Sequence, residues 1–157
     1  MKIKLIVVGK TKSKFLVEGE KVYSERLKHY CKFTEFIIPN VKNSSKLSTL
    51  VLKNNEGKSL LSAINNSAEV ILLDENGSSF SSFEFSKFLN KKLLSTNKEL
   101  VFVVGGAFGF SEEVYKRANS KLSLSKMTFS HQMIRLIFKE QLYRAFTILK
   151  GEKYHHK

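Results

Sequence analysis

Three short apolar runs constrain the fold of this chain more than any other feature of its sequence. Residues 3–8, 70–73 and 100–104 are rich in Val, Ile and Leu and show no regular alternation of apolar and polar side chains. Strands with this pattern are buried on both faces, as in a parallel sheet that helices cover. Segments with apolar residues at helical spacing separate the runs. The sequence therefore predicts an α/β fold in which a parallel-dominated sheet carries helices on both faces.

The remaining elements follow the same alternation. The pattern predicts a strand over residues 33–38, closed by Pro39, and a turn over residues 74–77. Ser111 precedes two glutamates, which is typical of the start of a helix. No linker, repeat or low-complexity tract interrupts the chain, so we expect residues 1–157 to form a single domain. Helices are predicted over residues 14–30, 44–64, 81–94, 111–119 and 131–150.

Two loops that follow buried strands, residues 74–77 and 105–109, are candidate ligand sites. In α/β sheets, ligands bind where loops leave the carboxyl ends of strands. The second loop, GGAFG, lacks the spacing of a dinucleotide fingerprint, and no carboxylate follows about 20 residues later to bind a ribose. Gly9-Lys10-Thr11 is not a phosphate-binding loop, because Lys4 stands where that motif needs its first glycine. The glycines instead predict a pocket in which a ligand approaches the backbone closely.

The charge of the chain suggests a polyanionic partner. Lys and Arg number 27 against 14 Asp and Glu, for a formal net charge of +13. Basic side chains that neutralise phosphates gain affinity by releasing counterions, so RNA is the expected partner. A lysine-rich composition produced by codon usage remains an alternative, because the charge is spread along the chain and forms no basic tail.

Cysteine and histidine usage argues against a metal site. Cys31 is the only cysteine, which excludes an intrachain disulfide and a Cys-based zinc site. No pair of the four histidines has helical metal-ligand spacing with a third donor nearby. The position of His155-His156 near the end of the sequence predicts a solvated tail. No apolar run is long enough to span a membrane, and no cleavage site follows the apolar N-terminal run. We therefore expect a cytoplasmic protein without a metal or a membrane contact.

The last predicted helix has an unusually broad apolar face. Its apolar side chains cover roughly half of the circumference at 100° per residue, which is wider than a one-sided stripe. Such a helix is expected to pack on two surfaces, its own sheet and either a partner subunit or more of its own chain. Arg135 and Gln141 lie in or beside this face and need polar partners if they are buried.

Five ordered motifs in the C-terminal third resemble the RlmH family of small SPOUT-class methyltransferases, and the resemblance extends over essentially the whole chain. The motifs are VFVVGGAFGF over residues 101–110, LSLSKMTF over 122–129, HQMIR over 131–135, EQLYRAF over 140–146, and Tyr154-His155. Each motif is weak alone, but the ordered set is specific. The family begins with the same strand ending in Val8-Gly9-Lys10.

The resemblance implies a deep C-terminal trefoil knot, a rare exception to un-knotted topology. It also implies a homodimer that uses S-adenosylmethionine (SAM) to methylate N3 of a pseudouridine in helix 69 of 23S rRNA, on the assembled large subunit or the 70S ribosome. Many members carry proline where Ser130 stands, and we expect this serine to cap the helix instead. The residues expected to contact SAM are Leu73, Gly105, Leu124, Ser125, Lys126, Met127, Thr128 and Phe129.

The resemblance also assigns roles near the target base. Tyr154 and His155 match residues that reach toward the active site of the other subunit, which replaces the interpretation of a solvated tail. We expect His131 or His155 to position the base or to take its N3 proton, because that proton must leave. Arg135, Arg144 and Lys153 are expected to offset phosphate charge. For the two arginines, surface or buried structural pairing is the alternative.

Two other functions stay open at this point. The chain is alternatively a non-enzymatic ribosome-binding factor of the same fold that has lost its cofactor. The intact Gly105-Gly106 pair and the segment 124–129 speak against this alternative. The second alternative is a SPOUT methyltransferase that acts on a ribose 2′-oxygen or on tRNA.

Overall fold

The computed structural model describes residues 1–95 and 97–156, in which strands and helices alternate as predicted. The strands are β1 (Lys2–Val8), β2 (Lys32–Ile38), β3 (Glu69–Ser79), β4 (Leu100–Val104) and β5 (Ser120–Ser123). The α-helices are α1 (Lys14–Leu27), α2 (Thr49–Ser62), α3 (Ser82–Ser95), α4 (Glu112–Arg117) and α5 (Met133–Leu149), and a short 3-10 helix covers Ser44–Lys46.

The five strands form one sheet in the order β2-β1-β4-β3-β5, and every neighbouring pair is parallel. The apolar strand β4 lies at the centre, where all of its residues are buried. A central parallel strand covered on both faces has no solvent-facing side, which explains why the apolar run lacks alternation. The predicted α/β class and parallel sheet are confirmed.

Helices cover both faces of the sheet, as predicted. Successive residues of a strand point to opposite faces. Phe102 therefore packs against Phe138 of α5, with ring centroids 4.7 Å apart, on the face that α1, α3 and α5 cover. Its neighbour Val103 belongs to the second core, where α2 and α4 contribute Leu60 and Val114.

The prediction for residues 74–77 was wrong in one respect, because the strand does not end there. β3 continues to Ser79, and its pairing with β5 is interrupted by a large bulge. Leu73 and Ser78 both pair with Leu122, so residues 74–77 leave the ladder and the strand resumes after them. A turn-forming sequence has therefore been accommodated as a bulge within one strand.

Two further elements differ from the sequence prediction. The predicted helix over 44–64 is divided, because α2 begins only after Ser48, whose hydroxyl accepts a hydrogen bond from the Val51 amide at 3.2 Å. The short strand β5 was not predicted. Its sequence SKLS has no apolar pattern, and its strand conformation follows from pairing with β3.

Helix α5 packs against both α1 and α3. The second surface that its broad apolar face required is thus supplied within the chain, and the prediction of a homodimer rests on the resemblance. Residues 124–132 bring the chain from β5, at one edge of the sheet, back to α5 beside the carboxyl end of β1. This course is consistent with the trefoil knot that the resemblance implies.

Candidate active site

A cavity of about 640 Å³ opens beside the bulge of β3 and the carboxyl end of β4. This volume lies within the range of about 300–1,000 Å³ that is typical of small-molecule sites. Three segments form most of its wall: the bulge of β3, the glycine turn after β4, and the segment that leads into α5. The cavity therefore lies at the position that the sequence predicts for a ligand site.

The glycine turn presents its backbone to the cavity. The Gly109 amide donates to the Gly106 carbonyl at 3.2 Å, and Gly109 adopts φ +84°, a conformation that favours glycine. Behind the turn, a Cβ built on Gly106 would lie 2.6 Å from Glu56 Oε2 of α2. Burial raises the pKa of this Glu56 carboxyl. A side chain at this position would require the Glu56 carboxylate or the turn to move.

The bulge of β3 places two carboxylates in the cavity wall. Asp74 accepts hydrogen bonds from the Asn76 amide, at 2.8 Å, and from the Tyr115 hydroxyl. Burial and this bond to Asp74 raise the pKa of Tyr115 to about 12, so its hydroxyl stays protonated and donates. Glu75 accepts from the Thr128 hydroxyl, which joins the bulge to the segment that leads into α5. These bonds close one side of the cavity.

The segment that leads into α5 is shaped by serines. The Ser125 hydroxyl accepts from the Met127 amide at 3.0 Å, and its carbonyl accepts from the Ser123 hydroxyl at 2.9 Å. The Ser130 hydroxyl accepts from the Met133 amide at 3.1 Å, so this serine caps the start of α5 as predicted. Next to it, half-buried His131 lines the cavity.

The pKa of His131 is lowered, first by burial and then by the charges of Arg135 and Lys12. A histidine with a lowered pKa is neutral at physiological pH, which leaves one ring nitrogen free to accept a proton. The cavity thus contains one neutral base.

The cavity wall is acidic although the chain is strongly basic. Of the described residues that line it, Asp74 and Glu75 are charged, and none is a lysine or an arginine. A wall of this kind attracts cationic ligands and repels phosphates. The same observation argues against a dinucleotide, in agreement with the glycine spacing.

The structure brings most of the predicted SAM-contacting residues together. His131 lies with them in the cavity wall, whereas Lys126 is exposed and outside the lining. The wall also contains Tyr115 and Ile134, which sequence reasoning missed because α4 and α5 show no local signal for a ligand contact. The predicted residues that line the cavity are Leu73, Gly105, Leu124, Ser125, Met127, Thr128 and Phe129.

Tyr154 and His155 form a separate group, the tail cluster, with Glu140, Arg144 and Tyr23. The Tyr154 hydroxyl lies 3.0 Å from Glu140 Oε1, and the Arg144 guanidinium lies 4.8 Å from the centroid of the Tyr154 ring. Arg144 Nη1 is 3.2 Å from His155 Nδ1. Neither Tyr154 nor His155 lines the cavity of its own chain. Burial and hydrogen bonds to Tyr23 and Glu140 raise the pKa of Tyr154, which keeps its hydroxyl protonated.

The three predicted phosphate contacts have different surroundings. Lys153 is exposed and Arg144 is half-buried in the tail cluster, but Arg135 is 0% exposed. Its guanidinium donates to the carbonyls of Val8 and Gly9, each at 2.7 Å. This geometry supports the alternative of buried structural pairing for Arg135, because no part of its side chain reaches a partner outside the fold.

Among residues 1–95 and 97–156, no three His, Cys, Asp or Glu side chains are placed to hold a metal ion. Burial raises the pKa of the Cys31 thiol to about 11, so it is not a nucleophile at neutral pH. None of the described helices is long and apolar enough to cross a membrane.

Comparison with known proteins assigns the chain to a class. A family model described as a predicted SPOUT methyltransferase matches residues 1–155. A solved structure, described as a probable methylase family protein from Haemophilus influenzae, superposes with a TM-score of 0.55 at 11% identity, covering 99% of this chain and 70% of that one. At this identity the likeness shows the fold.

Curated relatives narrow the class. The chain is 57% identical to ribosomal RNA large subunit methyltransferase H of Christiangramia forsetii over 100% of both chains. It is 54% identical to the protein of the same name from Parabacteroides distasonis, over 99% of both chains. The chain therefore belongs to the SPOUT methyltransferase family and, within it, to the ribosomal RNA large subunit methyltransferase H group.

Proposed function

We propose that this protein is an rRNA methyltransferase that transfers a methyl group from SAM to N3 of a pseudouridine in 23S rRNA. Its relatives are named as rRNA methyltransferases, which supports the reaction class and the substrate class. The observation that carries the proposal is the acidic, glycine-lined cavity, formed by the three segments in which the resemblance places the SAM contacts. We further propose that the protein acts in the cytoplasm on the assembled large subunit or the 70S ribosome.

The residues of the cavity suit SAM. Its sulfonium and amino groups are cationic, and the bulge supplies the carboxylates of Asp74 and Glu75. Its flat adenine ring is suited to the apolar side chains of Leu73 and Leu124 and to the exposed backbone of the glycine turn. When bound, SAM supplies an electrophilic methyl group. A donor set with lysine or arginine would instead indicate a phosphate-bearing cofactor.

Of the two histidines considered for handling the proton, His131 and His155, we infer that His131 takes this role. Methyl transfer to N3 requires the loss of the imino proton of the base, and a neutral imidazole accepts a proton well. His131 is kept neutral by partial burial and by neighbouring positive charge, and it lies on the cavity wall beside Ser130. The protein otherwise contributes alignment and exclusion of water, which are the main requirements for an in-line displacement.

The tail cluster supports a dimeric active site. Tyr154 and His155 pack on α5 and α1 of their own chain, away from their own cavity. We propose that in a homodimer they complete the cavity of the partner subunit. Arg144 and the exposed Lys153 would then lie beside the substrate and offset phosphate charge. The bond to Glu140 raises the pKa of Arg144 and keeps it charged.

The test is methyl transfer from labelled SAM to ribosomes that lack the modification, followed by mass analysis of the digested RNA. We expect a methylated pseudouridine, and we expect ribosomes to be modified faster than naked rRNA, because a chain this small reads the shape of an assembled particle. A methylated ribose or a methylated tRNA would assign the protein to the alternative SPOUT reactions. Binding to ribosomes without SAM binding would identify a non-enzymatic factor.

A further inference from the structure

The loop between β1 and α1 has no role in the cavity wall, yet its conformation is closely fixed. It begins at Gly9, which has φ +73°, and whose amide donates to the Ile38 carbonyl at 2.7 Å. A Cβ built on Gly9 would lie 2.7 Å from Asn40 Oδ1. The chain therefore turns sharply at this glycine, and the direction in which Lys10, Thr11 and Lys12 leave the sheet is determined by it.

The same loop is bound to the start of α5. The Lys12 amide donates to Gln132 Oε1 at 2.9 Å, and Gln132 Nε2 donates to the Lys10 carbonyl at 3.3 Å. Arg135 adds bonds to the Gly9 carbonyl, at 2.7 Å, and to the Thr11 hydroxyl, at 3.2 Å. Since Gln132 follows His131 directly, these bonds hold the loop beside the cavity wall.

The loop carries positive charge without a partner. Lys10 and Lys12 are exposed, and within the described part of the chain neither ammonium is paired with a carboxylate. The Lys12 backbone is bonded to Gln132, the residue that follows His131, so the Lys12 side chain leaves the loop beside the cavity, and its charge lowers the pKa of His131. Positive charge is thus presented just outside a cavity whose own wall is acidic.

We propose that Lys10 and Lys12 bind backbone phosphates of the rRNA next to the target nucleotide, and that Gln132 is the positioning residue that fixes the loop for this contact. The inference rests on the proposed function and adds a substrate contact to it. Phosphate contacts set the position of a nucleic acid, whereas the base is bound elsewhere. A loop already fixed by hydrogen bonds loses little entropy on binding. The acidic wall excludes phosphate from the cavity itself.

The experiment compares two double variants in methyl transfer to unmodified ribosomes at several salt concentrations. Lys10→Gln/Lys12→Gln removes the loop charges. Lys2→Gln/Lys32→Gln is the matched control. These exposed lysines are neighbours at the amino ends of β1 and β2, whereas Lys10 and Lys12 follow the carboxyl end of β1. For each variant the KM for ribosomes, kcat, and SAM affinity by calorimetry are measured, together with ribosome binding by sedimentation.

We expect the loop variant to raise the KM for ribosomes about tenfold or more, because each phosphate contact contributes roughly 0.7–0.9 to the slope of log affinity against log salt concentration. The slope should fall by nearly twice that amount. SAM affinity should stay close to wild type, and so should kcat when it is measured at a pH where His131 is neutral in both proteins, because the charge of Lys12 also lowers the pKa of His131. The control should match wild type. The inference would be overturned if the loop variant had the KM and the salt slope of wild type. It would also be overturned if the control variant changed both quantities as much as the loop variant does.

The positioning role has its own test. Gln132→Ala keeps both lysines but removes both side-chain bonds to the loop, so it should raise the KM for ribosomes by a smaller factor and leave SAM affinity unchanged. An unchanged KM would overturn the role of Gln132. Failure of the proposed function differs from failure of this inference. In the first case wild-type protein would neither bind SAM nor methylate ribosomes, but sedimentation would still measure how much the two lysines contribute to ribosome binding.

Discussion

The two ends of α5 each carry an arginine, and the surroundings of the two side chains are opposite. Near the amino end, Arg135 is fully buried and bonds to backbone carbonyls of Val8, Gly9 and His131. Near the carboxyl end, Arg144 is half-buried and bonds to side chains, those of Glu140 and His155. Arg135 joins the sheet to the helix, whereas the Arg144 side chain is 25% exposed and is proposed to lie beside the substrate.

The burial of Arg135 is balanced by a second cation and two acids. Lys139, one turn further along α5, is also buried and lies 3.1 Å from Glu20 Oε1 and 2.7 Å from Glu35 Oε2. The charges of Glu20 and Glu35 also act on Arg135, opposing the effect of its burial on its pKa. Two buried cations and buried Glu20 therefore share this region with the exposed Glu35, and the loss of any of the three buried groups leaves a buried charge without full compensation.

The largest expected effect is the loss of stability in Arg135→Ala. The substitution leaves buried carbonyls without donors and the Glu20–Glu35–Lys139 group with excess negative charge, so we expect the free energy of unfolding to fall by about 3–5 kcal/mol. Denaturant-induced unfolding monitored by circular dichroism measures it. A loss below about 1 kcal/mol would show that the guanidinium is not structural.

A smaller effect, on catalysis, is expected from His131→Ala. If His131 accepts the N3 proton, single-turnover methyl transfer should slow by about a hundredfold, at the lower end of general-base contributions. Because its pKa is lowered, the wild-type rate should fall only as pH decreases below the ordinary range of histidine, and His131→Ala should lack that limb. Substitution of both His131 and His155 with no loss of single-turnover rate would contradict a role for either.

The glycine turn offers a sharper test of the cavity. Gly106→Ala places a methyl group against the Glu56 carboxylate, which must move or displace the turn. We expect SAM affinity to fall about tenfold, which corresponds to about 1.4 kcal/mol. The double variant Gly106→Ala/Glu56→Ala removes the clash and should recover most of this affinity. An unchanged affinity in Gly106→Ala would separate the turn from the cofactor site.

The pH dependence of stability should report on Glu56. Burial raises its folded-state pKa, so its contribution favours folding below the unfolded-state pKa, and this stability is lost as pH rises through the folded-state pKa. In Glu56→Gln the loss is absent. We therefore expect the variant to gain stability relative to wild type as pH rises above about 4, by chemical denaturation at several pH values. A difference that is constant with pH would contradict an elevated pKa.

We expect the smallest loss of stability in Arg144→Ala, which can be compared directly with the large loss expected in Arg135→Ala. The Arg144 and Glu140 side chains are 25% and 19% exposed, and a solvent-accessible ion pair within one helix contributes about 0–1 kcal/mol. The same substitution should nevertheless reduce methyl transfer to ribosomes, because the proposed role of Arg144 lies with the substrate. Unfolding and activity measured on the same preparations separate the two roles. A large loss of stability would remove the distinction between the two ends of α5.

Much of the fold was predictable because burial on both faces leaves a clear signal. The apolar runs of β1 and β4 and the cap at Ser111 are local features, and the structure confirms them. Strand β5 and the bulge of β3 depend on pairing between distant segments, and neither leaves a local pattern in the sequence. Propensity alone therefore ended the strand at residue 73, whereas pairing of Ser78 and Ser79 with β5 resumes it after the bulge.

The site was predictable in its loops and less so in its side chains. Strand ends locate the cavity, and the resemblance adds the segment that leads into α5. The contact of Glu56 with Gly106, the bond from Tyr115 to Asp74, and the burial of Arg135 each join residues far apart in sequence. The hydrophobic periodicity of the sequence does not predict such contacts. An arginine in an apolar helix face is equally compatible with a surface and an interior position until its partners are known.

Calorimetric titration of the purified chain with SAM tests the central claim most directly. We predict saturable binding of one SAM per chain, weakened about tenfold by Gly106→Ala and restored when Glu56 is also replaced by alanine. Absence of binding at millimolar SAM, or binding that is indifferent to both substitutions, would contradict the assignment of the acidic, glycine-lined cavity as the cofactor site.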